Sequence, residues 1–284
     1  MKVKQLIGTV ILILLFVNGF SQSDSLKIRT KKGGSFYISA GFTRAWWGKS
    51  DLHLVDRSNK YHEATGLNNN YDFTVYKVEA NDRPDFDKLT DIINFTVPQY
   101  AYRLGYYFNN KADIGLEINY DHTKYIVQDY QRVHIKGDIN GTYIDADTIL
   151  NPKTLLHFEH SDGANFLLFN FVKRWKFINP SKMFNASWVA KAGVGIVIPR
   201  TDVTLFGERF NNDFKIAGWM AGVETGLRVE FFKYAFFEFV GKASYADYVN
   251  AFVLGKGNGR ASHHVSAYQL TLTLGAQYFL KDKK

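Results

Sequence analysis

The sequence predicts an all-β chain, a transmembrane antiparallel up-and-down β-barrel of eight strands. Three observations carry that prediction. Hydrophobicity alternates with period two in separate runs, the connections between runs alternate short and long, and past Gln22 no apolar stretch reaches the roughly 18 residues of a membrane helix.

The first segment precedes the barrel. Residues 1–22 combine a basic start (Lys2, Lys4), an apolar core from Leu6 to Phe16 and a tail ending Gly19, Phe20, Ser21, Gln22, the layout of a cleaved secretory signal. Its loss removes two lysines from a chain of formal charge +8, and the remaining excess is spread rather than clustered. With export, that argues against a nucleic-acid partner. Zero Cys excludes disulfides, thiolate metal sites, a cysteine nucleophile and a lipidated N-terminal cysteine. Residues 23–34 form a short segment before the barrel at 35–280, and 281–284 a polar tail.

The strands follow in order. Phe36, Ile38, Ala40, Phe42 oppose Tyr37, Ser39, Gly41, Thr43; Tyr100, Tyr102, Leu104, Tyr106, Phe108 oppose Ala101, Arg103, Gly105, Tyr107. After Asn109–Lys111 a hairpin mate carries Ile114, Leu116, Ile118, Tyr120 against Asp113, Glu117, Asn119, Asp121. The run 165–174 is apolar on both faces in places. Trp188 to Ile196, Trp219 to Val229, Phe237 to Tyr245 and Tyr268 to Tyr278 complete the set, each apolar at alternate positions. Alternation alone fits a secreted barrel with its apolar face inward. Long apolar faces with aromatic ends, and polar faces mixing Gly with Glu, Arg and Lys, favour lipid outside and a narrow, filled interior.

Short connections fall at 109–111, 176–183 and 232–234, and long ones at 48–95, 128–156, 199–213 and 247–263. Barrels of bacterial outer membranes have short periplasmic turns and long extracellular loops, so both termini are expected in the periplasm. Tyr71 to Ala80 also alternates and breaks the short–long order unless it belongs to the first loop; as a membrane strand with a partner it would make a ten-stranded barrel, the alternative. Within 128–156, Arg132–Ile139, Asn140-Gly141 and Thr142–Asp145 form a hairpin signal, expected to extend the fourth and fifth strands beyond the membrane.

The runs YDFTVYKVEANDRPDF (71–86), VPQYAYRLGYYF (97–108), HTKYIV (122–127) and EHSDGANFLLFNF (159–171) resemble the functionally unassigned outer-membrane β-barrel proteins of Bacteroidota-type Gram-negative bacteria. The resemblance implies the same fold and location, and no established activity. The chain departs from barrels that end on an aromatic read by the insertion machinery, because Leu280 and Lys281, Asp282, Lys283, Lys284 follow Phe279.

Chemistry is sparse. His157, Glu159, His160, Ser161 and Asp162, expected at the outer end of the fifth strand, make His160, Ser161 and Asp162 the catalytic candidates of a lipid A acyl hydrolase type, with His122 as a further one. Adjacent strand residues point to opposite faces, so His160 does not readily reach Ser161. The pairs His157/His160 and His263/His264 splay for the same reason and give no metal face. Asp82, Asp85, Asp87 and Asp91, or Asp145 and Asp147, offer oxygen ligands without a calcium-loop pattern. No cofactor is expected. Arg103, Glu117, Asp121, Lys191, Glu224, Arg228, Glu230, Glu238 and Lys242 are expected inside the barrel as a salt-bridged plug, with Arg103 beside Glu117. The leading function is a non-enzymatic platform in outer-membrane lipid, lipopolysaccharide included, whose loops bind an envelope or extracellular partner. A lipid-modifying enzyme is the alternative, or a small channel if ten strands cross.

Overall fold

The computed structural model describes residues 33–62, 67–68, 70–82, 99–109, 113–177, 184–232, 234–255 and 259–280. The expected signal 1–22, most of 23–34 and the tail 281–284 lie outside the described residues. Eight antiparallel strands form the barrel: Ser35–Trp47, Tyr100–Asn109, Ile114–Asp121, Phe166–Lys176, Phe184–Val197, Gly218–Phe231, Ala235–Phe252 and Arg260–Phe279. Each pairs with the next, and the first pairs with the eighth, closing the wall.

The register fixes the barrel's shape. Trp46 lies opposite Tyr268, Tyr268 opposite Ala243, Ala243 opposite Val223, Val223 opposite Ala192, and Ala192 opposite Phe171. Phe171 then faces Leu116, Leu116 faces Tyr106, and Tyr106 faces Phe36. One circuit therefore returns to the first strand ten residues from its start. With eight strands, that stagger tilts each strand by roughly 40°.

Tilt sets level, and level explains the aromatic pattern. Trp46, Tyr268, Tyr245 and Trp219, all exposed, fall on one ring near the long connections, while Phe36, Tyr278, Trp175 and Trp188 fall near the short ones. Ten residues at about 3.3 Å rise and that tilt span roughly 25 Å, the height of a lipid-facing band. Between the rings Ile38, Leu104, Leu116, Phe171, Val223 and Leu272 point out, and Arg103, Glu117, Lys191, Glu224 and Lys242 are buried inside. That distribution is the reverse of a soluble barrel's. Inward glycine makes room for it: a Cβ on Gly105 would run into the Tyr37 ring.

Above the upper ring the seventh and eighth strands continue to Phe252 and from Arg260. Their outward positions there include Asp247, His264 and Ser266, so the apolar alternation stops before the strands do. Arg260–Ser262 pair with Ser50–Asp56, which pairs with Tyr71–Val78, then Arg132–Ile139, then its hairpin mate Thr142–Ile149. A second sheet runs Glu208–Asn211, Asp202–Leu205, Leu156–His160, Tyr125–Val127, Ala80–Asn81. Leu52, Phe73, Val75 and Ile135 of the first extension share one buried apolar cluster with Tyr125, Phe158, Val203 and Leu205 of the second. The cluster reaches into the barrel mouth through Phe166, Leu168 and Met220.

Two expectations are corrected here, and the ten-stranded alternative is closed. Tyr71–Val78 belongs to this loop module and not to the barrel wall, which rules out the ten-stranded arrangement. The hairpin at 132–149 does not extend the fourth and fifth strands; backbone pairing carries it to Tyr71–Val78, on the far end of the eighth strand's extension. His157 and His160 stand on the separate strand Leu156–His160 rather than on the fifth.

Leu272→Arg, near the middle of the band, should lower barrel stability by about 2–4 kcal/mol, whereas Ser266→Arg above the Tyr268 ring should cost under about 1 kcal/mol. Urea unfolding in lipid vesicles checks the contrast; equal losses would misplace the band.

Candidate functional site

Two clusters of polar side chains are buried by this fold, one within the barrel and one in the loop module. Inside the barrel, all nine expected charges are buried. Lys191 Nζ lies 2.7 Å from Glu117 and 2.6 Å from Glu238, and Lys242 Nζ lies 2.7 Å from Asp121 and 3.3 Å from Glu224. Tyr37 donates its hydroxyl to Glu117 at 2.7 Å, and Asn119 donates to Glu224 at 2.6 Å. Toward the short turns, Arg228 lies 3.5 Å over the Phe236 ring and 4.5 Å over Tyr37, with Glu238 3.6 Å from its Nη1.

The expected Arg103–Glu117 ion pair is present but long, and Asp121 is a closer partner. Arg103 stands opposite Asn119, and Glu117 opposite Gly105. Glu117 and Asp121 flank Asn119 on the same face, and Arg103 Nη1 reaches Asp121 at 2.5 Å while its Nε is 3.9 Å from Glu117. Arg174 is a member that sequence reasoning missed: it binds Glu230 and lies 2.6 Å from Asp113 and 4.4 Å over Tyr107. The two-faced apolar run around it hid which way it points. Because these pairs and rings fill the interior, the barrel offers charge neutralisation rather than a passage.

In the loop module, the candidate acyl-transfer residues are not brought together. His160 points into the apolar cluster, Asp162 holds Arg200 Nη1 at 2.5 Å, and the Ser161 carbonyl accepts from Lys124 Nζ. His122 stacks on Tyr100 with centroids 4.5 Å apart and meets Asn165 Oδ1 at 2.8 Å. What His160 does meet is His263 of the eighth strand, Nε2 to Nε2 at 3.1 Å. Tyr248 stacks 4.7 Å from His160 and 4.6 Å from His263, with Tyr125 and Phe158 alongside. Burial pushes both imidazoles down, His160 well below the usual range and His263 to about 3. With burial disfavouring the charged form of both, one ring donates its Nε2–H and the other accepts.

Asp82 pins the module to the barrel, accepting from Ala45 N–H at 2.7 Å and from Gln99 at 2.6 Å. Asp85, Asp87 and Asp91 lie outside the described residues. On the outer hairpin His134 sits 3.0 Å from both Asp145 and Asp147, whose hydrogen bonds raise it, with Lys136 2.9 Å from Asp145. Among the described residues no three His, Asp or Glu side chains form a metal-binding group.

No protein-family model and no curated protein matches the chain. Among solved structures it is similar to the outer membrane protein OprG of Pseudomonas aeruginosa, at 13% identity over 89% of this chain and 100% of that one, with a TM-score of 0.40. It is also similar to Neisserial surface protein A, at 12% identity over 87% and 100% with a TM-score of 0.37. A third is Ail, the attachment invasion locus protein of Yersinia pestis, at 13% identity over 87% and 99% with a TM-score of 0.26. The barrel reading rests on the closed pairing described above.

Glu117→Ala leaves Lys191 and Tyr37 short of an acceptor inside the wall and should cost roughly 3–5 kcal/mol. Ser244→Ala, which loses one long bond to a carbonyl, should cost far less. Urea midpoints in detergent compare them, and equal midpoints would indicate a hydrated interior.

The histidine pair sets a pH dependence. Above about pH 6.5 neither state binds a proton there; below it the unfolded histidines protonate while the folded ones do not. The pair's contribution to module stability should therefore be flat above pH 6.5 and fall on acidification, by up to ~1.4 kcal/mol per pH unit per histidine. Hydrogen exchange across pH 7 to 5 reads this, and His160→Phe with His263→Phe should flatten the profile.

Proposed function

We propose that the chain is an outer-membrane β-barrel protein without enzymatic activity, a lipid-embedded platform whose loop module faces outward and binds an envelope or surface partner. The observation that carries this reading is the module itself. Its strands come from the first three long connections and an extension of the eighth strand, and they share one apolar core with the barrel mouth. Loops that merely joined strands would not need a core of their own. The filled interior below it argues that function lies on the outer surface, not through the wall.

The lipid contacts support the same reading. Two outward cations stand within the band: Arg44 lies 5.4 Å over the Trp46 ring at its upper edge and Lys173 lies 5.7 Å over Trp175 at its lower edge. Each aliphatic stem lies along the band while the charge reaches an interface. At the outer edge the natural counter-charge is the phosphate of lipopolysaccharide. In this orientation both termini are periplasmic, and the barrel insertion machinery is the partner that assembles it.

Single cysteines replacing Thr142 and Asn211 should react with an impermeant thiol reagent on intact cells, while one replacing Asn110 should not. The absence of native Cys keeps the background clean. Labelling at Asn110 with protection at Thr142 would reverse the orientation and sink the platform reading.

A further inference from the structure

The strand Thr142–Ile149 ends the extended sheet, and among the described residues no strand pairs with its outer side. Its inner side is joined to Arg132–Ile139 through the two-residue turn Asn140-Gly141. Leu150 N–H donates to Gln131 at 2.9 Å just beyond the ladder, which fixes the alternation. Antiparallel pairs exchange both bonds at every second residue, so Thr142, Ile144, Ala146 and Thr148 bond inward. Tyr143, Asp145, Asp147 and Ile149 direct their N–H and C=O groups away from the sheet.

The side chains of those four residues share one face. Tyr143 is 60% exposed and Ile149 50%, with Asp145 and Asp147 between them. Across the ladder Asp147 faces His134, Asp145 faces Lys136, Ile149 faces Arg132 and Tyr143 faces Asp138. Moving outward across the sheet at this stretch, Arg132 and Lys136 give way to Asp147 and Asp145 and then to the open edge. A segment added at that edge meets the carboxylates first.

We infer that this edge is where the partner docks, by strand addition of an extended segment carrying Lys or Arg at alternate positions. Backbone bonds to the four outward residues supply the attachment, and opposite-charge cross-strand pairs with Asp145 and Asp147 supply the selectivity. A second copy of this chain is disfavoured in the fully overlapped register. Antiparallel self-pairing centred on Ala146 sets Asp145 against Asp147 of the other copy, and like charges directly opposite are destabilising. The inference rests on the platform reading, since it needs the hairpin outside the membrane.

The test uses the purified full chain in detergent and two synthetic twelve-residue peptides, one alternating Val with Lys and one alternating Val with Glu. At saturation the Lys peptide should slow amide exchange at Tyr143, Asp145 and Asp147 at least tenfold, and the Glu peptide should leave it unchanged. Asp147→Pro removes one outward N–H without touching the hairpin's own ladder and should abolish the protection. Asp147→Ala, which keeps that N–H, should retain most of it. Equal protection by both peptides, no protection by either, or slow exchange of these amides in the peptide-free protein each overturns the assignment. Thiol labelling of Thr142→Cys on intact cells separates the two failures: labelling with no peptide effect removes the edge assignment alone, and no labelling removes the platform.

Discussion

In hydrocarbon no backbone N–H or C=O can be left without a partner, so the first strand must close on the last. That requirement shapes everything else in this chain. Closure with a ten-residue offset tilts the strands, and the tilt brings Trp46, Tyr268, Tyr245 and Trp219 to one level. Eight tilted strands enclose a space that side chains can fill. The charges inside are then forced into contact with each other, because no solvent competes for them and an unpaired one is costly. Lys191 among Glu117, Glu224 and Glu238 is the outcome of that constraint, not an added feature.

Much of this was legible in the sequence because period two reports which face a residue occupies. The eight strands, the outward aromatics and the nine inward charges follow from it. Period two does not report which residue lies across the ladder. Arg103 was expected beside Glu117 from their hairpin; it lies opposite Asn119, between Glu117 and Asp121, and is closer to Asp121. Arg174 was lost where both faces read apolar. His160 and His263 are 103 positions apart, and no local pattern links them. The signal that could have found them is weak: each is a polar residue at an inward position of an otherwise apolar stretch.

The loop module shows why the long connections were harder to read than the barrel. Strands in lipid must alternate, whereas strands above the band are constrained only by their shared core. Tyr71–Val78 has Tyr71, Phe73 and Val75 on its buried face and so resembles a membrane strand. Its neighbours decide otherwise: Ser50–Asp56 on one side and Arg132–Ile139 on the other. The histidine pair packs into the same core, exchanging a polar contact for sensitivity to acid.

The pairing of Ser50–Asp56 with Arg260–Ser262 joins two segments from opposite ends of the chain. The early segment pairs within its own connection with Tyr71–Val78, but its link to the wall waits for the final strand. An ordered module is thus a receipt for completed assembly. A chain truncated before Arg260, or stalled short of closure, would carry the same loop sequence yet lack the scaffold strand beneath it. An intact module therefore presupposes that the final strand is in place beside it.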